Sequence, residues 1–212
     1  HNTVKNLLDF DNNIKVYLNK LNINNNPKIV AVSKTFKIDK ILPLIEHGHI
    51  DYGENKVQEA LEKWTEIKKK ESKVRLHMIG KLQTNKVKFA VQIFDYIHSV
   101  DSEKLAKKIA DEQNKINKKI KIFLQVNIGD ENQKSGINKS DVIKLVSYCK
   151  KIDLDLIGLM CIPPANTDPE GYFEEMNKLN KTLDLTELSM GMSSDFLIAA
   201  KCFSTYVRVG SS

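Results

Sequence analysis

The residues best placed to do covalent chemistry are a lysine, an arginine and two serine-bearing turns, each at the end of a run that reads as a β-strand. Lys34 closes Ile29-Val30-Ala31-Val32-Ser33, and a strand's period of two puts Val30, Val32 and Lys34 on one face. A neutral lysine amine forms a Schiff base with an aldehyde, and an apolar mouth favours that neutral form because an ammonium is poorly solvated there. The same position equally suits a lysine whose stem lies on apolar surface while its head reaches water. Gly191-Met192-Ser193-Ser194 leads into a helix-period run from Phe196 to Cys202, and Val209-Gly210-Ser211-Ser212 ends the chain. Glycine permits close backbone approach, and serine hydroxyls and amides donate to phosphate oxygens. Ordinary strand-to-helix turns with serine caps would read the same way. Arg208, two residues before Gly210, shares its face and, if inward, needs an acceptor: a ligand's ring nitrogen or carboxylate, or a buried Asp or Glu.

Other reactive side chains carry less. His77 lies inside an apolar run and reads as a satisfied core histidine. His47-Gly48-His49 imitates a metal pair, but no carboxylate or cysteine stands at supporting spacing, so no metal is assigned. The polar stretch from Asp130 to Gly136 reads as a loop that could cover a site without supplying its chemistry.

These groups need a frame that gathers strand ends. From Lys28 onward, short β-rich runs alternate with helix-period runs, the pattern of βα units around a parallel sheet. The strand candidates are Lys28–Lys34, Ile50–Gly53, Arg75–Gly80, Tyr96–Val100, Lys121–Ile128, Leu154–Ile162, Glu187–Met192 and Tyr206–Gly210. Eight such strands close a (β/α)₈ TIM barrel, an α/β fold whose chemistry sits at the strands' carboxyl ends and which often binds phosphate after its last two strands. A doubly wound open sheet also alternates in this way, but no G-x-G-x-x-G follows the first strand. Val57, Ala60, Leu61 and Trp64 form one apolar helical stripe, and Val142, Leu145, Val146 and Cys149 another. Asp101 or Ser102 is placed to cap the helix containing Leu105, and Asn138 with Asp141 resembles a capping pair. An extra amphipathic helix precedes the first strand, carrying Ile14, Tyr17, Leu18 and Leu21. The chain stops right after the eighth strand candidate, so the expected barrel lacks its final helix. No linker divides the 212 residues, and one domain spanning 1–212 is expected.

With 41% hydrophobic and 28% charged residues the chain has the balance of a soluble globular domain. The net charge of +6 comes from lysines scattered over the helix candidates; only Lys68-Lys69-Lys70 and Lys118-Lys119 form runs, so no nucleic-acid partner is expected. Cys149, Cys161 and Cys202 sit in apolar or helical surroundings and read as buried free thiols in a reducing compartment. No stretch is apolar enough to span a membrane and no leader opens the chain, so a cytoplasmic location is expected.

Ala31-Val32-Ser33-Lys34, taken with Tyr52-Gly53-Glu54-Asn55-Lys56-Val57-Gln58-Glu59, resembles the pyridoxal phosphate homeostasis protein family, also called the YggS or PROSC family. The resemblance continues in order through His77-Met78-Ile79-Gly80-Lys81-Leu82-Gln83-Thr84-Asn85-Lys86, Gln125-Val126-Asn127-Ile128, Lys134-Ser135-Gly136, Gly158-Leu159-Met160-Cys161-Ile162-Pro163, Ser189-Met190-Gly191-Met192-Ser193 and Val207-Arg208-Val209-Gly210. It implies a barrel similar to the N-terminal domain of bacterial alanine racemase, with pyridoxal 5′-phosphate as cofactor and Lys34 as its Schiff-base lysine. It further implies that Ser193, Gly210 and Ser211 contact the phosphate, that Arg208 faces the pyridine nitrogen, and that Asn55 and Met192 line the site. The related racemase also uses a tyrosine from an added β domain, which this sequence does not carry. The resemblance therefore implies binding and delivery of the cofactor, with PLP-dependent apo-enzymes as partners and an influence on amino-acid and keto-acid balance, rather than an established turnover reaction; a monomer is expected. A weak amino-acid racemase, and a Schiff-base lyase acting on sugar phosphates without a cofactor, are the alternatives.

Overall fold

The structure is a computed structural model that describes residues 1–132 and 134–210. Helix α1 (Asn2–Lys20) precedes β1 (Lys28–Val32), α2 (Ile38–His47), β2 (Asp51–Glu54), α3 (Val57–Lys70), β3 (Arg75–Met78), α4 (Val87–Ile93), β4 (Tyr96–Val100) and α5 (Glu103–Lys115). Then follow β5 (Lys121–Asn127), the two-residue β6 (Ile137–Asn138), α6 (Val142–Lys151), β7 (Asp155–Met160), α7 (Glu170–Thr182), β8 (Glu187–Ser189), α8 (Phe196–Lys201) and β9 (Tyr206–Gly210).

All strand pairs are parallel, and the order β4-β3-β2-β1-β9-β8-β7-β5 closes on itself because β5 also pairs with β4. The result is the expected TIM barrel of eight strands, with β6 a short ledge beside the end of β5. Every strand candidate is present, but six end early or begin a residue later than the hydropathy pattern predicts. The first strand stops at Val32 rather than Lys34. Ser33 still donates its amide to Gly53, after which the Phe36 amide donates back to the Ser33 carbonyl and Thr35 takes a left-handed φ of 64°. That turn breaks the period-of-two rule just before it reaches Lys34.

Alternation sorts the side chains into layers. Val30, Tyr96, Phe123, Met160 and Tyr206 fill the interior, whereas outward-facing residues join the helices in one large shell that includes Trp64, Phe94, Ile109 and Phe173. Helix α1 covers the seam between β1 and β9: Ile14 and Leu18 cluster with Ile29, Val207, Val209, Phe196 and Ala200, and Phe10 meets Phe196 edge-on at 5.1 Å. Its side chains thus supply apolar cover over the last strand. Helix ends follow local chemistry where it is strong. Ser102 accepts the Leu105 amide at 3.1 Å, and Gly48 ends α2 at a φ of 101°, a conformation glycine adopts without a Cβ penalty. The expected Asn138–Asp141 capping pair is absent: the segment folds as a 3₁₀ turn over Lys139–Asp141 in which Asn138 makes no side-chain cap. Cys149, Cys161 and Cys202 are buried and unbridged. Among the described residues no helix is long and apolar enough to cross a membrane.

The tightest backbone approach is at Gly158, where an added Cβ would lie 1.8 Å from the Glu187 carbonyl oxygen of the neighbouring strand. Gly158→Ala is expected to cost about 3 kcal/mol through overpacking. Gly171→Ala, in a part of α7 with no atom within 4 Å, should stabilise by up to ~1 kcal/mol through helix propensity. Urea unfolding of the two variants beside the parent checks both signs.

Candidate functional site

The carboxyl ends of the strands form one mouth, and β9 brings the arginine to it. Tyr206 and Arg208 point into the barrel while Val207 and Val209 face α1. Arg208 is 3% exposed and donates from Nη1 to Ser189 Oγ at 2.6 Å and from Nη2 to the Cys161 carbonyl at 3.1 Å. Among the described residues no carboxylate pairs with it, so the Asp or Glu partner left open by the sequence is replaced by a hydroxyl and a carbonyl. Burial lowers its pKa, yet a guanidinium remains charged at neutral pH. Burial likewise pushes the Cys161 thiol up to about 12, which removes it as a nucleophile at neutral pH.

Above Arg208 lies an open cleft of about 360 Å³ bounded by Cys161, Pro163, Gly191, Met192, Ser194 and Asp195. Its floor depends on Gly191, which has a φ of 102° and whose Cβ would lie 2.6 Å from that of Ala199. The two serine-bearing turns meet here: Ser193 Oγ donates to the Gly210 carbonyl at 3.3 Å and accepts the Gly210 amide at 3.1 Å. Ser193 and Met192 are exposed at the rim, and Gly210 is half-buried. Asp195 takes the Met192 amide at 2.7 Å. The predicted contact Ser211 lies outside the described residues. A buried guanidinium without a carboxylate, below a turn built of glycine and hydroxyl groups, suits an anionic ligand that also carries a neutral acceptor.

Lys34 and Asn55 follow β1 and β2 at the same rim, outside the lining of that cleft. Lys34 is exposed, in the turn after β1, the solvent-reaching one of the two readings its position allowed. The turn itself is firmly seated. Buried Ser33 donates its hydroxyl to Glu54 Oε1 at 2.9 Å, Lys63 donates to the Ser33 carbonyl at 2.6 Å and to Glu54 at 2.8 Å, and Trp64 Nε1 donates to the same carboxylate at 3.0 Å. The Thr35 amide donates to Glu59 at 2.6 Å. An ion-paired clamp therefore grips the backbone on both sides of Lys34 and leaves its amine in solvent. Asn55 is half-buried after β2, close against Gly80, where a Cβ would meet the Asn55 carbonyl oxygen at 2.7 Å. The loop after β5 is tied toward the mouth by Lys134, which donates to the Ile162 carbonyl at 3.2 Å.

Sequence reasoning misses Ser189, His98, Asp51 and the Glu54–Lys63 clamp. Polar residues at alternate strand positions are the available signal, and reading it requires knowing which face points inward. His77 is satisfied and buried, as expected. Its Nε2 lies 2.8 Å from Asp51 Oδ1 and its Nδ1 2.9 Å from His98 Nε2, while His98 Nδ1 lies 2.8 Å from Ser189 Oγ. Asp51 also accepts two bonds from Arg75, at 3.0 and 2.8 Å. Burial opposes charge on Asp51, but the bonds from His77 and Arg75 hold it below the usual carboxylate value. Desolvation lowers both buried histidines, His98 well below 6.5.

The model of the alanine racemase N-terminal domain family matches residues 6–212. Fold and site thus define a racemase-type barrel. Curated relatives narrow this: the pyridoxal phosphate homeostasis proteins of Haemophilus influenzae and Pasteurella multocida are 37% and 34% identical over 201 and 194 residues, covering 88% and 86% of this chain and 83% of each relative. The human protein of that name is 37% identical over 205 residues, 87% of this chain and 74% of the relative. The chain belongs to the pyridoxal phosphate homeostasis protein family. Among solved structures, PipY of Synechococcus elongatus PCC7942 with PLP bound is 31% identical with a TM-score of 0.78, covering 93% of this chain and 97% of that one. Alanine racemase of Clostridium difficile 630, at 15% identity and a TM-score of 0.68, shares the fold over 94% of this chain and 55% of that one.

The buried histidines set a pH dependence. Their folded-state pKa values lie below the unfolded value of 6.5, so the unfolded chain binds more protons in acid. Their contribution to stability is complete above about pH 6.5 and is lost as pH falls from there. Urea midpoints should stay level from pH 7.5 to about 6.5 and fall from there to pH 5, and His98→Phe should flatten the falling part. A midpoint independent of pH over that range contradicts the assignment.

Proposed function

We propose that this chain holds pyridoxal 5′-phosphate as a Schiff base on Lys34 and serves intracellular homeostasis of that cofactor, handing it to apo-enzymes that depend on it. The observation that carries the reading is the register of β1 on β9. Val32 pairs with Gly210, so the seated turn bearing Lys34 emerges beside the Ser193–Gly210 contact and above Arg208. PLP in the PipY structure and the name shared by the curated relatives support the choice of ligand.

In this assignment Ser193 and Gly210, together with Ser211 next in the chain, take the phosphate, Arg208 addresses the pyridine nitrogen, and Asn55 and Met192 line the ring. When bound, the cofactor supplies an aldehyde and an electron-withdrawing ring. Arg208 sets how far that ring can be used. Its fixed positive charge disfavours a proton on the pyridine nitrogen, and an unprotonated ring is a weaker electron sink. The exposed amine of Lys34 suits reversible loading, because water and a receiving protein can both reach the bond. A site of this kind retains and releases its cofactor more readily than it drives carbanion chemistry.

Mixing the protein with pyridoxal phosphate, reducing with borohydride and mapping by mass spectrometry should place a pyridoxyl group on Lys34, and Lys34→Ala should abolish it. A pyridoxyl mass on another lysine, or unchanged labelling in the variant, overturns the assignment. Loaded protein should leave the α-proton of amino acids unexchanged in deuterated water; measurable exchange across an amino-acid panel favours a racemase.

A further inference from the structure

The interior of this barrel carries a polar thread that cofactor binding by itself does not call for. It begins at Asp51, the first residue of β2, at the rim opposite the mouth, where Arg75 at the start of β3 grips the carboxylate with two bonds. It continues through His77 on β3, His98 on β4 and Ser189 at the end of β8, and ends at Arg208 on β9. All five are buried, His77, His98 and Ser189 completely. Tyr96 stacks on His77 with ring centroids 4.1 Å apart, and Phe123 stacks on His98 at 4.3 Å. Neither ring can turn over without disturbing an aromatic neighbour.

The ends of the thread fix the direction of every bond in it. Arg208 can only donate, so Ser189 Oγ accepts from it and uses its own proton elsewhere. The remaining partner is His98 Nδ1, which must then accept. At the other end Asp51 is ionised and can only accept, so His77 carries its proton on Nε2 and presents Nδ1 as an acceptor. His98 must therefore donate from Nε2 to His77 Nδ1. The two deductions, made from opposite ends, agree on neutral histidines with the proton on Nε2, and no donor meets a donor.

We propose that Asp51, His77, His98 and Ser189 are positioning residues for the cofactor site, forming a one-way hydrogen-bond relay along the barrel interior that locks the guanidinium of Arg208 in the orientation it presents at the mouth. The proposal rests on the reading that a pyridoxal ring occupies that mouth. Its physical content is the removal of freedom. Ser189 cannot rotate its proton toward the ligand, because His98 claims it. Arg208 cannot swing into the cleft without leaving the Ser189 oxygen and the Cys161 carbonyl unpartnered. The arginine therefore offers its remaining donor edge in one pose.

Two measurements test this on the folded chain of residues 1–212. The first needs no cofactor: nitrogen-15 NMR of histidine-labelled protein at pH 7.5 should show His77 and His98 both protonated on Nε2. Labelled arginine should show slow rotation about the Arg208 Cζ–Nη bonds. In Ser189→Ala that rotation should become fast, and in Ser189→Thr, which keeps a hydroxyl, it should stay slow. Either histidine protonated on Nδ1, or slow rotation surviving in Ser189→Ala, overturns the relay. The second measurement is the dissociation constant for pyridoxal phosphate from absorbance titration, with thermal unfolding run alongside to confirm folded variants. Ser189→Ala and His98→Phe should each weaken binding about tenfold, the scale of one charge-assisted hydrogen bond, while Ser189→Thr binds like the parent. Parent-like affinity in a folded Ser189→Ala overturns the positioning role. A parent that takes up no pyridoxal phosphate instead sinks the cofactor reading, and the tautomer result judges the relay separately.

Discussion

Five register pairs between Lys28–Val32 and Tyr206–Gly210 join the beginning of the sheet to its end. That pairing closes the barrel, and it also brings residues at opposite ends of the chain to one rim, because Val32 sits beside Gly210. The Lys34 turn, Arg208 and the Ser193–Gly210 contact are near one another only while this seam holds. Helix α1 guards it from outside, with Ile14 and Leu18 packed on Ile29, Val207 and Val209. Burial of apolar surface at the outer face of β1 and β9 is thus coupled to the chemistry of their inner faces and ends.

The inner faces are less oily than a barrel core needs to be. Buried polar groups cost about 1–3 kcal/mol each when left unsatisfied, and here nearly all are matched through a thread running from Asp51 to Arg208. Asp51 at one end is answered by Arg75, and among the described residues the Arg208 guanidinium at the other has no carboxylate in contact with it. Arg208 is therefore held by a hydroxyl and a carbonyl, and its charge remains available at the mouth. The second polar cluster, around Glu54 and Lys63, works on the outer side of β1 and β2 and seats the turn that carries Lys34.

Much of this architecture is legible in the residue order. All eight strand candidates are barrel strands, since runs such as Lys28-Ile29-Val30-Ala31-Val32 leave little else for β-branched residues to do between helical stripes. The inward turn of Arg208 follows from alternation with Val207 and Val209. The reading falters where a side chain elsewhere overrides local pattern. Strand period leaves Lys34 open between an inward amine and one in water, and Lys63 and Glu54 from later segments settle it by holding the turn at Ser33. Asn138 has the residue type of a cap, yet a 3₁₀ turn removes the geometry a cap requires. The partners of His98 and Asp51 carry no local signal, because they lie at sequence separations from 21 to 91 residues.

The sequence by itself determined the alternation of strands and helices and the family, because these depend on side-chain periodicity and on ordered short motifs that no folding is needed to see. Tertiary structure alone decided that Lys34 sits exposed on a clamped turn and that Ser193 meets Gly210. It also decided that Arg208 answers to Ser189 and the histidines behind it and not to a carboxylate. Hydrogen-bond partners depend on three-dimensional proximity across a closed sheet, and closure brings together residues whose spacing along the chain says nothing of their distance.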